Sequence, residues 1–326
     1  MSFVTFGLPS IGPELRREFG LSLAELGAVL TASLFGSGLA LIAAGVAVDR
    51  FGARKATLAG TALAALGLAL AAAAGSKGVL FGALVVSGLG SSVVPIAGAG
   101  ALFRAYPAAR RGWALGVRQM AVPLGGTIAA AAMPILERLG GVELAFGVGA
   151  AAVAVTGIAF ALVPEDSPLP AGRSERAFRS IWRAPGMQRL LVVAGFYIIV
   201  LQAMLAYTVP AARAAGLSAF AASATYFAVN VSAMVARIVW GRVADRGGGA
   251  RRTRTLVDVG LVATVGALLF TFALHRSAAV VVPAAVLFGF GALGWNALIY
   301  VSAGERAAPE LAGRSVAVAA TVVFLL

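Results

Sequence analysis

The feature that most constrains this chain is a succession of apolar runs, each long enough to cross a lipid bilayer as a helix. A helix needs about 20 apolar residues to span the hydrocarbon core, where every backbone group must be paired within the segment. The runs are continuous and do not alternate, which excludes a transmembrane barrel. The sequence therefore predicts an all-α polytopic membrane protein. The predicted spans are approximately residues 26–48, 56–75, 79–103, 113–136, 143–163, 188–210, 217–240, 255–274, 278–302 and 312–326.

The charges of the chain predict its orientation in the membrane. Only 12% of the residues are charged, against about 25% in soluble domains. The net charge of +13 would suggest nucleic-acid binding in a soluble protein, but short cytoplasmic loops of membrane proteins also collect Lys and Arg. We therefore expect no nucleic-acid partner and an integral protein of the bacterial plasma membrane. Eighteen of the 26 Lys and Arg residues lie in alternate turns that we expect to be cytoplasmic, at 50–55, 104–111, 173–189, 242–254 and 306–314.

Residues capable of covalent or metal chemistry are almost missing from the sequence. There is no cysteine and only one histidine, His275, so neither a thiolate site nor a histidine metal cluster can form. No phosphate-binding Gly-x-x-x-x-Gly-Lys-Ser/Thr stretch occurs that could drive an ATP-dependent pump. We expect no metal, no cofactor and no enzyme activity.

Two charged turns share one pattern. Each has a glycine four residues before an Asp-Arg pair, and each continues with glycine and two cations. The first turn (residues 45–55) contains Gly45, Asp49, Arg50, Gly52, Arg54 and Lys55. The second turn (residues 241–252) contains Gly241, Asp245, Arg246, Arg251 and Arg252. Their repetition indicates a duplicated half.

One long connection divides the chain between the two turns. It is rich in Pro and Arg and predicts a basic cytoplasmic linker at residues 164–187. The linker separates an N-terminal helical bundle, residues 1–163, from a C-terminal bundle, residues 188–326. Residues 1–13 are too short to span, and the last run ends at Leu326 after about 15 residues. We therefore expect partial first and last helices and about 11 spans in all.

The stretch Gly45-x-x-x-Asp49-Arg50-x-Gly52-x-Arg54-Lys55 resembles the loop between helices two and three of the major facilitator superfamily. The second turn is similar to the copy of that loop between helices eight and nine. The resemblance implies two six-helix bundles related by pseudo-twofold symmetry. It also implies secondary transport by a chain truncated at both ends, lacking half of helix one, part of helix eleven and helix twelve.

The physical chemistry of the turns predicts a gate. A carboxylate at a helix end is attracted to the positive end of a neighbouring helix, and arginines can pair with it or with anionic lipid. Such a cluster could hold two bundles together in one state and release them in the other. The alternative is that the turns only fix the topology. The gating hypothesis predicts that Asp49→Asn abolishes transport.

Polar side chains inside the spans are candidate binding residues, because lipid-buried polar groups are rare and functional. The candidate substrate-binding residues are Arg118, Gln119, Gln202, Asn230, Arg237 and Asn296. Arg237 resembles an arginine that monocarboxylate and related organic-anion carriers place in helix eight, although Ala233 stands where they often have an aspartate. Alternatively, Arg237 reaches the membrane surface and the amides link helices.

Carboxylates are nearly absent from the interior of the spans, whereas Arg118 and Arg237 lie within them, which favours an anionic substrate. The predicted function is secondary active transport of a small organic anion by alternating access, by a monomer in the lipid bilayer with a proton as the candidate co-transported ion. Efflux of lipophilic compounds is the first alternative. A non-transporting sensor or inactive fragment is the second. Saturable uptake would separate a carrier from a sensor, and a full-length reading frame would separate either of them from a fragment.

Overall fold

The computed structural model describes residues 7–162, 179–246, 248–274, 276–307 and 311–325. These residues are helical and contain no strand. After a 3₁₀ turn at Leu8–Ile11 the helices follow one another in chain order. They are α1 (Gly12–Glu18), α2 (Leu23–Phe51), α3 (Ala53–Ala72), α4 (Lys77–Ser91), α5 (Val93–Ala105), α6 (Arg111–Phe160), α7 (Met187–Ala214), α8 (Ala219–Asp245), α9 (Gly248–Ala273), α10 (Ala278–Ala292), α11 (Asn296–Arg306) and α12 (Ala312–Leu325).

Within the described residues, eight helices are long and apolar enough to cross a membrane. One of them, Ala108–Phe160, has 53 residues and consists of a short 3₁₀ turn (Ala108–Arg110) followed by α6. It is interrupted by non-helical backbone at Gly140 and Gly141. Gly141 has a φ of 71°, which glycine adopts at little cost. The full-length spans predicted between residues 26 and 302 each coincide with one of these helices or with half of the interrupted one. The prediction of an all-α polytopic membrane protein is confirmed.

Three details differ from the predicted spans. The polar segment after residue 13 is partly helical, because Pro13 opens α1, a position that proline favours. The span predicted at 79–103 is divided at Ser92, three residues before Pro95 in α5. The span predicted at 278–302 is divided between α10 and α11. Each was predicted as one continuous span because an apolar pattern does not report a local break.

The chain divides into two compact units. The first comprises Met1–Ala101, Leu124–Arg179 and Val316–Leu325, and the second comprises Leu102–Pro123 and Ser180–Ser315. The bundles predicted at 1–163 and 188–326 stay a prediction. Of the linker predicted at 164–187, residues 164–178 lie outside the described residues, as does His275.

The first unit is closely packed through glycines. A Cβ on Gly60 would lie 2.6 Å from the carbonyl oxygen of Gly90, so α3 and α4 can approach only because these residues lack side chains. The Ser37 hydroxyl of α2 donates to the carbonyl of Gly88, at 2.9 Å. A buried apolar cluster that includes Leu68, Leu84 and Phe146 completes this core.

The second unit is connected by side-chain donors that reach backbone carbonyls on neighbouring helices. Ser232 of α8 donates to the carbonyl of Val286 in α10, at 2.7 Å. Tyr197 of α7 donates to the carbonyl of Leu256 in α9, at 2.5 Å, and its ring stacks on Trp295 with centroids 5.5 Å apart. These bonds position the polar side chains described next.

Candidate functional site

The first turn lies at the junction of α2 and α3. Gly52 joins the two helices with a φ of 83°, a conformation that favours glycine. Asp49 is half-buried in the last turn of α2, and Arg54 and Lys55 are exposed at the start of α3. Gly45 is buried, and Arg50 is exposed, with its guanidinium 5.5 Å from the centre of the Phe51 ring.

The second turn is built differently, because Asp245 caps a helix. Its Oδ1 accepts from the backbone N–H of Gly112 and its Oδ2 from that of Trp113, both at 2.8 Å. These N–H groups belong to the first turn of α6, where the helix has no partners of its own for them. The carboxylate therefore neutralises the positive end of α6.

A buried ion network surrounds this cap. The side chain of Arg252 is 3% exposed; its Nη2 donates to Asp245 at 3.3 Å and its Nη1 pairs with Glu305. Arg252 Nη2 also donates to the carbonyl of Ala108, at 2.6 Å. Arg111 lies 3.8 Å from the second oxygen of Glu305. Of the other second-turn cations, Arg246 and Arg251 are exposed.

Two members of this network, Arg111 and Glu305, are not among the predicted site residues. Arg111 also donates to the carbonyls of Phe103 and Tyr106, at 3.0 and 3.1 Å, so it fixes the connection between α5 and α6. A signal was available for Glu305, because an acidic residue follows a glycine at the end of an apolar span that carries few other acids.

Glycines bring α6 and α8 together next to the network. A Cβ on Gly112 would lie 2.6 Å from the carbonyl oxygen of Gly241, and a Cβ on Gly241 would lie 2.7 Å from the carbonyl carbon of Gly112. One turn further along α6, a Cβ on Gly116 would contact the backbone of Arg237. The spacing Gly112-x-x-x-Gly116 is typical of close helix pairs in membranes and could have identified this crossing from the sequence.

A cavity of about 660 Å³ opens beside the ion network. Its lining includes Arg104, Arg111 and Arg252 together with Asp245 and Glu305. The carboxylates are engaged by the arginines and the end of α6, so this cavity belongs to the network.

Further along α6 and α8, two arginines lie near the same tyrosine. Arg237 is 5% exposed; its Nη1 donates to the carbonyl of Gln119 at 2.7 Å and its Nε to that of Leu293 at 3.2 Å. Arg118 is half-buried. The Tyr300 hydroxyl of α11 interacts electrostatically with both guanidinium groups. The structure therefore brings Arg118, Arg237 and the backbone of Gln119 together with Tyr300, which is not among the predicted binding residues.

The break between α10 and α11 supplies the next part of this site. Its free carbonyls are satisfied by side-chain donors: Trp240 binds the carbonyl of Phe290 and Trp295 that of Ala292, each at 3.0 Å. Arg237 binds the third, at Leu293. Because a freed carbonyl in an apolar interior is costly, these bonds stabilise the break.

Asn296 begins α11 on the side that carries Tyr300. It is 9% exposed, and its Oδ1 is buried with no hydrogen-bond partner among the described residues. Asn296, Tyr300 and Gly304 are spaced by four residues and share one face of the helix. A Cβ on Gly304 would contact the Phe103 ring, so this face is turned towards the segment that leads into α6.

Two predicted binding residues are not brought into this group. Gln202 is exposed on α7. Asn230 is half-buried, and its amide donates to the carbonyl of Tyr226 on its own helix, at 3.0 Å. It lies two turns, about 10 Å, before Arg237 along α8.

A separate group of carboxylates lies in the first unit. Burial raises the pKa of Glu18 at the end of α1, and the neighbouring charges of Glu143 and Glu137 raise it further. Glu18 therefore binds a proton at a higher pH than an isolated glutamate does. Across the described residues, no group of three or more His, Cys, Asp or Glu side chains could hold a metal ion.

A helical membrane protein with buried arginines beside a broken helix, and with a capped helix end at a charged turn, has the features of a transporter fold. The sequence profile of the Major Facilitator Superfamily matches residues 1–326. The chain belongs to the major facilitator superfamily. No curated protein sequence matches it significantly.

Solved structures of the superfamily share this fold. The proton:xylose symporter XylE, bound to 6-bromo-6-deoxy-D-glucose, is 16% identical with a TM-score of 0.74, over 99% of this chain and 84% of XylE. The Escherichia coli fucose:proton symporter FucP is 16% identical with a TM-score of 0.76, over 99% and 87%. The human organic anion transporter MFSD10 is 17% identical with a TM-score of 0.76, over 99% and 87%. At these identities the likeness establishes the fold alone.

Proposed function

We propose that this chain is a secondary active carrier that moves a small organic anion by alternating access. The observation that supports an anion is that two guanidinium groups, those of Arg118 and Arg237, lie close enough to Tyr300 to interact with it electrostatically. Arg237 is bound by neutral carbonyl oxygens, which leave its positive charge uncompensated. A carboxylate is the ligand that planar guanidinium groups bind best.

Membership of the superfamily supports secondary transport in general. Of its structural neighbours, MFSD10 is described as an organic anion transporter, whereas XylE and FucP are described as proton symporters. The likeness to MFSD10 supports an organic anion as the substrate. The likeness to XylE and FucP supports a proton as the coupling ion. For efflux of lipophilic compounds, the arginine pair offers no comparable support.

We propose a gating role for the two charged turns. Asp245 binds the start of α6. The predicted division assigns α6 to the N-terminal bundle and Asp245 to the C-terminal bundle. Loss of these bonds would free the end of α6, as an alternating-access carrier requires in one of its states. The carrier would act as a monomer in the bacterial plasma membrane, with the central linker in the cytoplasm.

The test of the anion assignment is uptake by the purified full chain in liposomes. The panel of labelled acids is acetate, glycolate, propanoate, lactate, succinate and malate, measured at pH 7.5 against protein-free liposomes. Arg118→Ala is expected to reduce the uptake of the preferred acid at least 100-fold, because a charged hydrogen-bond partner is lost in a buried site. Arg118→Lys should keep part of it, since the charge remains without the planar fork.

The matched control is Arg189→Ala, which removes an exposed arginine of α7 in the same unit and should transport at the rate of the unsubstituted protein. Normal uptake by the Arg118→Ala variant would remove the anion assignment. Failure of the unsubstituted protein to transport any acid of the panel would contradict the proposed function itself.

A further inference from the structure

In the second unit, the side-chain amide of Asn296 has a buried oxygen whose hydrogen-bonding capacity is not used by any residue that the structure describes. A buried carbonyl oxygen without a hydrogen bond costs free energy, and native proteins rarely leave one unmatched. Asn296 Oδ1 is such an atom among the described residues, on a side chain that is more than nine-tenths buried. It accepts hydrogen bonds and cannot donate one, so its missing partner must be a donor.

The position of this oxygen connects it to the arginine pair. Asn296 stands one helical turn before Tyr300 on the same face of α11, and the Tyr300 hydroxyl interacts with Arg118 and Arg237. Leu293, which Arg237 binds through its carbonyl, lies three residues before Asn296. The cationic donors, on α6 and α8, thus interact with residues of the same α10–α11 segment that carries the unmatched acceptor.

We infer that Asn296 makes this site selective for organic acids that carry a hydroxyl group next to the carboxylate, the 2-hydroxy acids. The carboxylate would bind the guanidinium groups, and the hydroxyl would donate to Asn296 Oδ1. This inference rests on the proposed function, and it adds a specificity-determining residue and a narrower substrate class.

The physical basis is the cost of an unmatched polar group. A site built to hydrogen-bond a substrate hydroxyl discriminates strongly against the analogue that lacks it, because its own polar group is then left unpaired. A purely apolar pocket distinguishes the same two molecules poorly. Removal of the acceptor should therefore abolish the preference rather than the transport.

The experiment compares matched acids that differ by one hydroxyl: glycolate with acetate, lactate with propanoate, and malate with succinate. Initial uptake rates below saturation give kcat/KM for each acid in liposomes that contain the full chain. The unsubstituted protein is expected to favour the hydroxy acid of its preferred pair at least tenfold. Asn296→Ala should bring that ratio to within about twofold of one, chiefly by slowing uptake of the hydroxy acid.

Two variants keep this test independent of folding. Asn296→Ser retains a hydroxyl that can accept and should restore part of the preference. Gln188→Ala removes an exposed amide of α7 and should leave the ratio unchanged. Uptake of the acid without the hydroxyl is the internal standard, since a misfolded variant would lose both rates together.

The outcomes separate the inference from the proposal on which it rests. Equal rates for the two acids of each pair in the unsubstituted protein would overturn the inference and leave the organic-anion proposal standing. A preference that persists in Asn296→Ala would overturn the role of this residue. Absence of uptake for every acid would overturn the proposed function and the inference together.

Discussion

The two charged turns have similar sequences but different surroundings. In the first turn Asp49 is half-buried and the cations Arg54 and Lys55 are exposed. In the second turn Asp245 caps α6, and the cation that follows, Arg252, is buried between two carboxylates.

The motif places an aspartate at the end of a helix in both turns. The residues around that aspartate determine which groups it binds. Asp245 meets α6 because Gly112 and Gly241 allow the helices to touch. Glu305 comes from a third helix, α11, and fixes the orientation of Arg252. Gly112 and Glu305 lie outside the motif, so the two copies need not be equivalent.

The largest expected effect is the loss of the buried arginine. Arg252→Ala leaves Asp245 and Glu305 next to each other without their shared cation, which should lower the free energy of unfolding by about 3–5 kcal/mol. Arg54→Ala removes an exposed cation of the first turn and should leave the melting temperature almost unchanged. Thermal unfolding in detergent measures both. Equal losses would mean that the two turns are energetically alike.

An intermediate effect is expected from the aspartates. Asp245→Asn keeps the size of the side chain but weakens two bonds to N–H groups and the pair with Arg252, which costs about 2 kcal/mol. It should lower both the melting temperature and the rate of transport.

Asp49→Asn is the matched variant in the first turn. It is expected to abolish transport and to leave membrane insertion intact, in keeping with the proposed gate. The measurements are uptake in liposomes and the amount of folded protein recovered from membranes. Wild-type uptake by Asp49→Asn would restrict the gate to the second turn.

The last comparison concerns the glycines of the two turns. A Cβ on Gly241 would lie 2.7 Å from the carbonyl carbon of Gly112, whereas a Cβ on Gly45 would lie 3.9 Å from the Cβ of Ala317, an ordinary contact. Gly241→Ala should therefore destabilise the protein by roughly 1–3 kcal/mol through overpacking. Gly45→Ala should be tolerated, as judged by melting temperature. A loss for Gly45→Ala as large as that for Gly241→Ala would contradict this comparison.

The apolar runs predicted the helices well, because their length is set by the bilayer. They did not predict which side of each helix faces the protein interior. A helix that is apolar on all sides has no polar face to distinguish its exposed side from its buried side. Gln202 was for this reason expected in the site and is exposed on α7. Arg118 and Arg237 were predicted as candidate binding residues because charged residues are rare within apolar spans.

The ion network was missed for a different reason. Arg111 and Glu305 are far apart in sequence, and their approach depends on how α6, α8 and α11 cross. The break before Asn296 was missed as well, because its stabilising donors, Trp240 and Arg237, come from another helix. Both features depend on tertiary structure, which a single sequence does not report.

The break between α10 and α11 also allows α11 to tilt separately from α10. It makes α11 a separate rod of 11 residues, with Asn296 at one end and Glu305 near the other, roughly 13 Å apart along the axis. A tilt of about 10° around Asn296 would displace Glu305 by roughly 2 Å, enough to part it from Arg111, already 3.8 Å away. If a substrate binds Asn296 as we infer, binding at this end of α11 and ion pairing at the other end would be linked through one rigid helix.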